Sequence, residues 1–130
     1  MYKLHHVVAV NRENETIQLS GKPKAGRHMF WAVRDPEEAE KSIRQKLNSL
    51  QKAIDGDSSS DKVFALMFPN IGRGPEFFNG IDQDFEAFRK AFPDTPMIGF
   101  YGNGEISPGI SESSLIKRYS TVVTVFTKPK

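Results

Sequence analysis

Apolar and polar positions fall into blocks of different period along this chain, and each block predicts an element. Lys3 to Val10 and Thr16 to Leu19 are β-prone. The polar run Asn11-Arg12-Glu13-Asn14-Glu15 between them suits a turn, so together they predict an antiparallel hairpin. Gly21 to Gly26, with two glycines and a proline, reads as loop, and the apolar run His28-Met29-Phe30-Trp31-Ala32-Val33 that follows is expected as a buried strand.

The period then changes. Asp35-Pro36-Glu37-Glu38 combines a capping carboxylate, a proline at the first helical position and acids at the positive end of the dipole. Ala39, Ile43, Leu47, Leu50 and Ile54 follow at steps of three and four, predicting a helix with one apolar stripe and a solvated charged face. Asp55 to Asp61 is a polar connector that lacks the glutamate of a calcium loop, so no metal is expected there. Lys62 to Phe68 is nearly continuous in apolar residues and predicts a central strand covered on both faces. Ile81, Phe85, Phe88 and Phe92 predict a second helix with a core-facing stripe. Met97 to Tyr101 and Tyr119 to Thr127 are two further strands.

The resulting order, ββ-β-α-β-α-β-β, predicts a mixed α/β fold. Residues 1–130 are expected to form one domain, with parallel central strands in a mixed sheet and two packed helices. Two strand–helix–strand passages, His28–Phe68 and Lys62–Tyr101, are each expected to be crossovers between parallel strands. The loops after Phe68 and after Tyr101 would then open at the same, carboxyl, edge of the sheet, where ligands of open α/β sheets bind.

Composition narrows the chemistry. With 18 basic and 16 acidic residues the net charge is only +2, and the basic residues are scattered, so nucleic-acid binding is not expected. The absence of cysteine excludes disulfides, thiolate metal sites and a thiol nucleophile. No apolar run approaches the ~20 residues of a membrane span, and no signal-peptide pattern opens the chain, so the expected setting is cytoplasmic and no membrane is expected as a partner. His5, His6 and His28 all lie on predicted strands away from the loops, and the neighbours His5 and His6 would point to opposite faces. No catalytic residues, metal site or cofactor are therefore assigned. Gly99-x-x-Gly102-x-Gly104 has the wrong spacing for a dinucleotide fingerprint, and no P-loop lysine is present.

The two loops are the remaining candidates. Asn70, Gly72, Arg73 and Gly74 form one lip; Tyr101, Gly102, Asn103, Gly104 and Glu105 form the other. Arg73 offers a planar fork of donors for a carboxylate and Glu105 an acceptor for an amine. The two asparagines can donate and accept, the glycines would expose backbone N–H groups, and Tyr101 could line an apolar pocket. Such a set suits a small zwitterion such as an amino acid. Alternatively, Arg73 and Glu105 pair with each other or cap loops, and the glycines only turn the chain.

Phe-x-x-x-Gly-Arg-Gly (Phe68 to Gly74), then Pro-x-x-Gly-Phe-x-Gly-Asn-Gly-Glu-Ile (Pro96 to Ile106), then a strand beginning Tyr-Ser-Thr-Val resembles the C-terminal FIST domain of bacterial signal-transduction proteins and of a eukaryotic F-box protein. The resemblance is clearest over Val63 to Thr127. It implies a non-catalytic sensory domain that binds a small ligand, with Arg73, Gly74, Gly102, Gly104 and Glu105 as the marked positions. The F-box relative implies an alternative role in protein interaction and substrate recognition by a ubiquitin ligase. An N-terminal FIST domain or a signalling protein is the implied partner, since the usual N-terminal domain does not precede the motifs here. Asn70 stands where many members carry a cysteine, which removes any thiol-dependent role.

Overall fold

The computed structural model describes residues 5–56, 61–108 and 114–128. The serines of the polar connector lie outside the described residues. The chain divides into two compact units, Met1–Val33 and Arg34–Lys130.

The first unit is built on the expected hairpin. β1 (Val7–Asn11) and β2 (Thr16–Leu19) pair antiparallel. The turn is held locally: Asn11 Oδ1 accepts from the N–H groups of Glu13 (2.9 Å) and Asn14 (3.0 Å), and Glu15 takes a positive φ of 51°. The expected buried strand at His28–Val33 does not form. No strand is assigned to residues 28–33, and Phe30, Trp31 and Val33 are exposed. An apolar run without a partner strand lacks the hydrogen bonds that would make it a strand, so the expected crossover from His28 to Phe68 is absent too.

The second unit carries the sheet. α1 (Pro36–Gly56) is capped by Asp35, whose Oδ1 accepts from Glu37 N–H (2.9 Å) and Glu38 N–H (3.2 Å). β3 (Lys62–Pro69) lies centrally, parallel to β4 (Met97–Gly99) and antiparallel to β7 (Thr121–Thr127). The fold is therefore mixed α/β, with one parallel pair. α2 (Gln83–Ala91) connects β3 to β4, and a short hairpin, β5 (Glu105–Pro108) with β6 (Ser114–Lys117), precedes β7; sequence patterning did not predict it.

The core lies between the helices and one face of the sheet: Ile43 and Leu47 of α1, Ala65 and Met67 of β3, and Ala87, Phe88, Ala91 and Phe92 in and beside α2. Contrary to expectation, among the described residues the helices cover one face of β3 only. Side chains alternate across a strand, and Ala65 and Met67 point to the helices while Phe64, Leu66 and Phe68 share the other face with Ile98, Val122 and Phe126. On that face Phe64 stacks on Phe126 at 4.3 Å, Phe68 meets Phe100 edge-on at 5.1 Å, and Ile98 and Phe100 are each 69% exposed. The α2 stripe also differs from expectation. Phe88 and Phe92 are buried, Phe85 and Ile81 are exposed, and the place the stripe left for a core residue is taken by Asp84, fully buried.

Candidate functional site

The parallel register of β3 and β4 keeps one offset throughout, pairing Ala65 with Met97, Met67 with Gly99 and, past the strand ends, Asn70 with Gly102. The two loops are thus joined as expected. Gly102 N–H donates to Pro69 O (2.9 Å), and Ile71 N–H donates to Gly102 O (2.7 Å). Between these points the ladder lapses at Phe100 and Tyr101, because Pro69 has no N–H to give.

Asn70 and Glu105 meet directly. Asn70 Nδ2 donates to Glu105 Oε1 at 2.7 Å, while its Oδ1 accepts from Gly72 N–H at 3.0 Å. Glu105 Oε2 accepts from Ser120 Oγ (2.7 Å) and Ser120 N–H (3.3 Å), so the buried carboxylate has acceptors engaged on both oxygens. These bonds tie the first loop, the second loop and the entry to β7 together. Replacing Glu105 by Ala would strand the Asn70 amide and the Ser120 hydroxyl. A loss of about 1–3 kcal/mol is expected, read from the urea midpoint, with a smaller loss for Glu105→Gln; a midpoint unchanged by Glu105→Ala would refute the role of this cluster.

Arg73 does not pair with Glu105. Its guanidinium engages Asp84 through two bonds, Nε to Oδ2 at 2.8 Å and Nη2 to Oδ1 at 2.6 Å. Nε also reaches Thr121 Oγ1 (3.2 Å), Nη2 reaches Ala39 O (3.4 Å), and the Thr121 hydroxyl donates to Asp84 Oδ2. Arg73 thus joins the first loop to α1, α2 and β7 at once. Asp84 and Thr121 were not foreseen: an Asp in the first turn of a helix reads as a dipole or capping residue, and a Thr in a strand as a β-former. Arg34, also unforeseen, stands between the rings of Phe77 (4.8 Å) and Tyr119 (4.5 Å) and donates to Gly72 O at 2.7 Å. A side chain at Gly72 would meet the Tyr119 ring at 2.6 Å, so that glycine is required by packing. Gly102 and Gly104 meet only ordinary contacts, and Gly104 and Asn103 are exposed. Phe77 and Phe78, just beyond this loop, are half-buried and buried.

Tyr101 is the member of the second lip that borders a cavity. Its hydroxyl donates to Asp82 Oδ2 at 2.5 Å, and Asp82 Oδ1 caps α2 through Phe85 N–H at 3.1 Å. The cavity, about 310 Å³, is lined by Met67, Asp82, Phe85, Met97, Phe100 and Tyr101. Burial first, then the hydrogen bond to Asp82 and the charges of Asp82 and Asp84, hold the Tyr101 phenol above its ordinary range. The sign follows. An unfolded tyrosine loses its proton near pH ~10 while the folded one keeps it, so the unfolded state binds fewer protons and stability falls as pH rises above that value. Tyr101→Phe is expected to flatten this alkaline decline in urea midpoints measured from pH 8 to 11; an equally steep decline in the variant would count against it.

Among the described residues, no group of three or more His, Asp or Glu is placed to hold a metal ion. No helix among the described residues is long and apolar enough to cross a membrane.

A family model described as the FIST C domain matches residues 1–108. F-box only protein 22 of Homo sapiens is 34% identical over 59 residues, 45% of this chain and 15% of that protein. An uncharacterised protein of Mycobacterium tuberculosis (strain CDC 1551) is 27% identical over 100 residues, 77% of this chain and 25% of that protein. The matches thus take in no more than a quarter of the length of these curated relatives.

Proposed function

This chain belongs to the FIST C domain family, and we propose that it serves a signal-transduction protein as a non-catalytic recognition domain whose ligand is another polypeptide. One observation carries the reading: the three-stranded sheet has helices on one face and leaves Phe64, Phe126, Ile98 and Phe100 exposed on the other. Contiguous apolar surface of this kind marks an interaction site. The non-catalytic part is supported by the loops themselves, where Asn70, Arg73 and Glu105 are engaged with Asp84, Thr121, Ser120 and one another. In this reading they set the shape of the loops. The similarity to F-box only protein 22 supports it as well. The family match runs across both compact units, which supports treating residues 1–130 as one FIST C-terminal-like domain. Its partners would be an N-terminal FIST domain or a signalling protein, in the cytoplasm, a setting that suits a chain without cysteine.

The test is site-specific photocrosslinking of this chain within cells. A photoreactive residue at Ile98 or Phe126 is expected to crosslink one defined protein that also binds the purified chain. The same group at exposed Lys52, on α1, should not. Equal crosslinking from all three positions refutes the reading.

A second reading, a sensor of a small ligand such as an amino acid, is favoured by the cavity beside Tyr101, at the carboxyl ends of β3 and β4. Its volume reaches the lower end of the range of small-molecule sites, about 300–1,000 Å³. Of the residues the motifs marked, Tyr101 lines it, and Asp82 would offer an acceptor to an amine. A thermal-shift series with the free amino acids tests it. Stabilisation of the wild type that is lost in Tyr101→Phe favours this reading; no stabilisation removes it.

A further inference from the structure

β4 is an edge strand: in the order β4-β3-β7 it has β3 on one side and, among the described residues, no strand on the other. In a parallel ladder alternate residues address the partner strand. Pro96 O accepts from Ala65 N–H (2.8 Å), and both backbone groups of Gly102 bond toward the β3 side, so the even-numbered residues face β3. Met97, Gly99 and Tyr101 therefore present their N–H and C=O groups to the open edge.

Along that edge, between β4 and α2, runs a groove made of two cavities. The one beside Tyr101 holds about 310 Å³, and the next holds about 330 Å³, lined by Phe85, Phe88, Arg89, Phe92 and Met97 among others. Phe85 and Met97 line both, so the two cavities are neighbours along the edge. Ile98 and Phe100, which also border the first cavity, stand 69% exposed.

We propose that an extended peptide of a partner protein adds to β4 as a fourth strand. This rests on the protein-recognition reading above and names its mode. The peptide backbone bonds to Met97, Gly99 and Tyr101, and its side chains alternate between the groove against α2 and the face of Ile98 and Phe100. The first cavity and the exposed face are lined chiefly by Phe, Met and Ile, whereas Arg89, Asp94 and Thr95 join Phe and Met in the second, so the peptide is mainly apolar with polar side chains admitted toward the Pro96 end. Charge sets its polarity. The Tyr101 end carries the Asp82 carboxylate, whereas the Pro96 end sets Arg89 against Asp94, so a lysine or arginine of the peptide belongs at the Tyr101 end. A second copy of the chain fits poorly here. Pairing of two β4 edges would join strands of three residues whose Met97 side chains already pack on their own cores, leaving both grooves empty.

The probe is a phage-displayed library of random twelve-residue peptides, selected on the purified 130-residue chain. Recovered sequences are expected to be extended, apolar and basic at one end. In fluorescence anisotropy, N-methylation at alternate peptide nitrogens should weaken binding at least tenfold, and methylation at the nitrogens between should not. Ile98→Lys, at an exposed position, should weaken binding at least tenfold with an unchanged melting temperature. Failure to enrich any peptide overturns the proposal, as does a dimer that Ile98→Lys dissociates. Binding that ignores N-methylation and is lost in Phe126→Lys overturns strand addition while leaving recognition by the sheet face intact. Failure of the crosslinking experiment removes both.

Discussion

Arg73→Ala should cost this domain about 3–5 kcal/mol, because it leaves a fully buried carboxylate without its partner. Asp84 has no access to water, and of the donors that reach it, two are on the guanidinium and one is the Thr121 hydroxyl. Removing the arginine therefore leaves a charge that cannot be resolvated without opening α2 from β7. Stabilities of domains this size are about 5–15 kcal/mol, so the variant should show a large fall in urea midpoint and in melting temperature. Arg73→Lys keeps the charge but loses the fork and should recover only part of the loss. The double variant Arg73→Met, Asp84→Leu should be more stable than Arg73→Ala, since apolar replacement of both partners leaves no stranded ion. If Arg73→Ala unfolds at the wild-type midpoint, the pair does not hold the loop. A wild-type stability combined with lost binding of a small acid would instead return Arg73 to the role its motif suggested.

Gly99→Ala is expected to be as damaging by another route. A Cβ at this position would collide with Met67 O and lie 2.7 Å from Met67 C, both backbone atoms of the central strand. No rotamer relieves a clash between a methyl group and a neighbouring strand, so β4 must pull away from β3. That movement takes Met97 off the core and parts the two loops at the Asn70–Gly102 bridge. A loss of at least about 3 kcal/mol is expected, with the size of the clash placing it in the exceptional tail of single substitutions. Gly56→Ala is the control. It sits at the end of α1, meets nothing within 4 Å, and should change stability by no more than about 0.5 kcal/mol. Equal melting temperatures for the two variants would refute the close approach of β4 to β3.

These two residues also mark what was legible in the sequence. The helix at Asp35, the hairpin, the strand at Lys62 and the convergence of the two loops follow from local signals: a cap, a period, a run of β-formers. All of these formed. His28–Val33 failed because apolarity alone cannot tell a strand with a partner from one without. The covering of β3 was over-read for a related reason: Phe64, Leu66 and Phe68 are as apolar as core residues, yet nothing local records whether a second layer is present. In the candidate site, the Gly-Arg-Gly and Gly-Asn-Gly-Glu motifs located the right loops, and Asn70 and Glu105 do meet. Motif reading named no partner for Arg73 except Glu105, because Asp84 lies beyond the loop on a helix turn where an acid has a sufficient local explanation. Arg34 was equally hidden, since its two aromatic neighbours come from distant parts of the chain.

The proline that closes β3 has a consequence in time as well as in shape. Since Pro69 cannot donate to the strand beside it, the parallel ladder is sealed at Ile98 and again at Gly102, with a lapse at Phe100 and Tyr101. Deuterium uptake along Met97–Gly102 should therefore be uneven, with slow exchange at Ile98 and Gly102 and rapid exchange at Met97, Gly99 and Tyr101. The rapidly exchanging amides lie on the edge of the sheet where, among the described residues, this strand has no neighbour, so their exchange is the part of this strand most readily altered by whatever comes to rest against it.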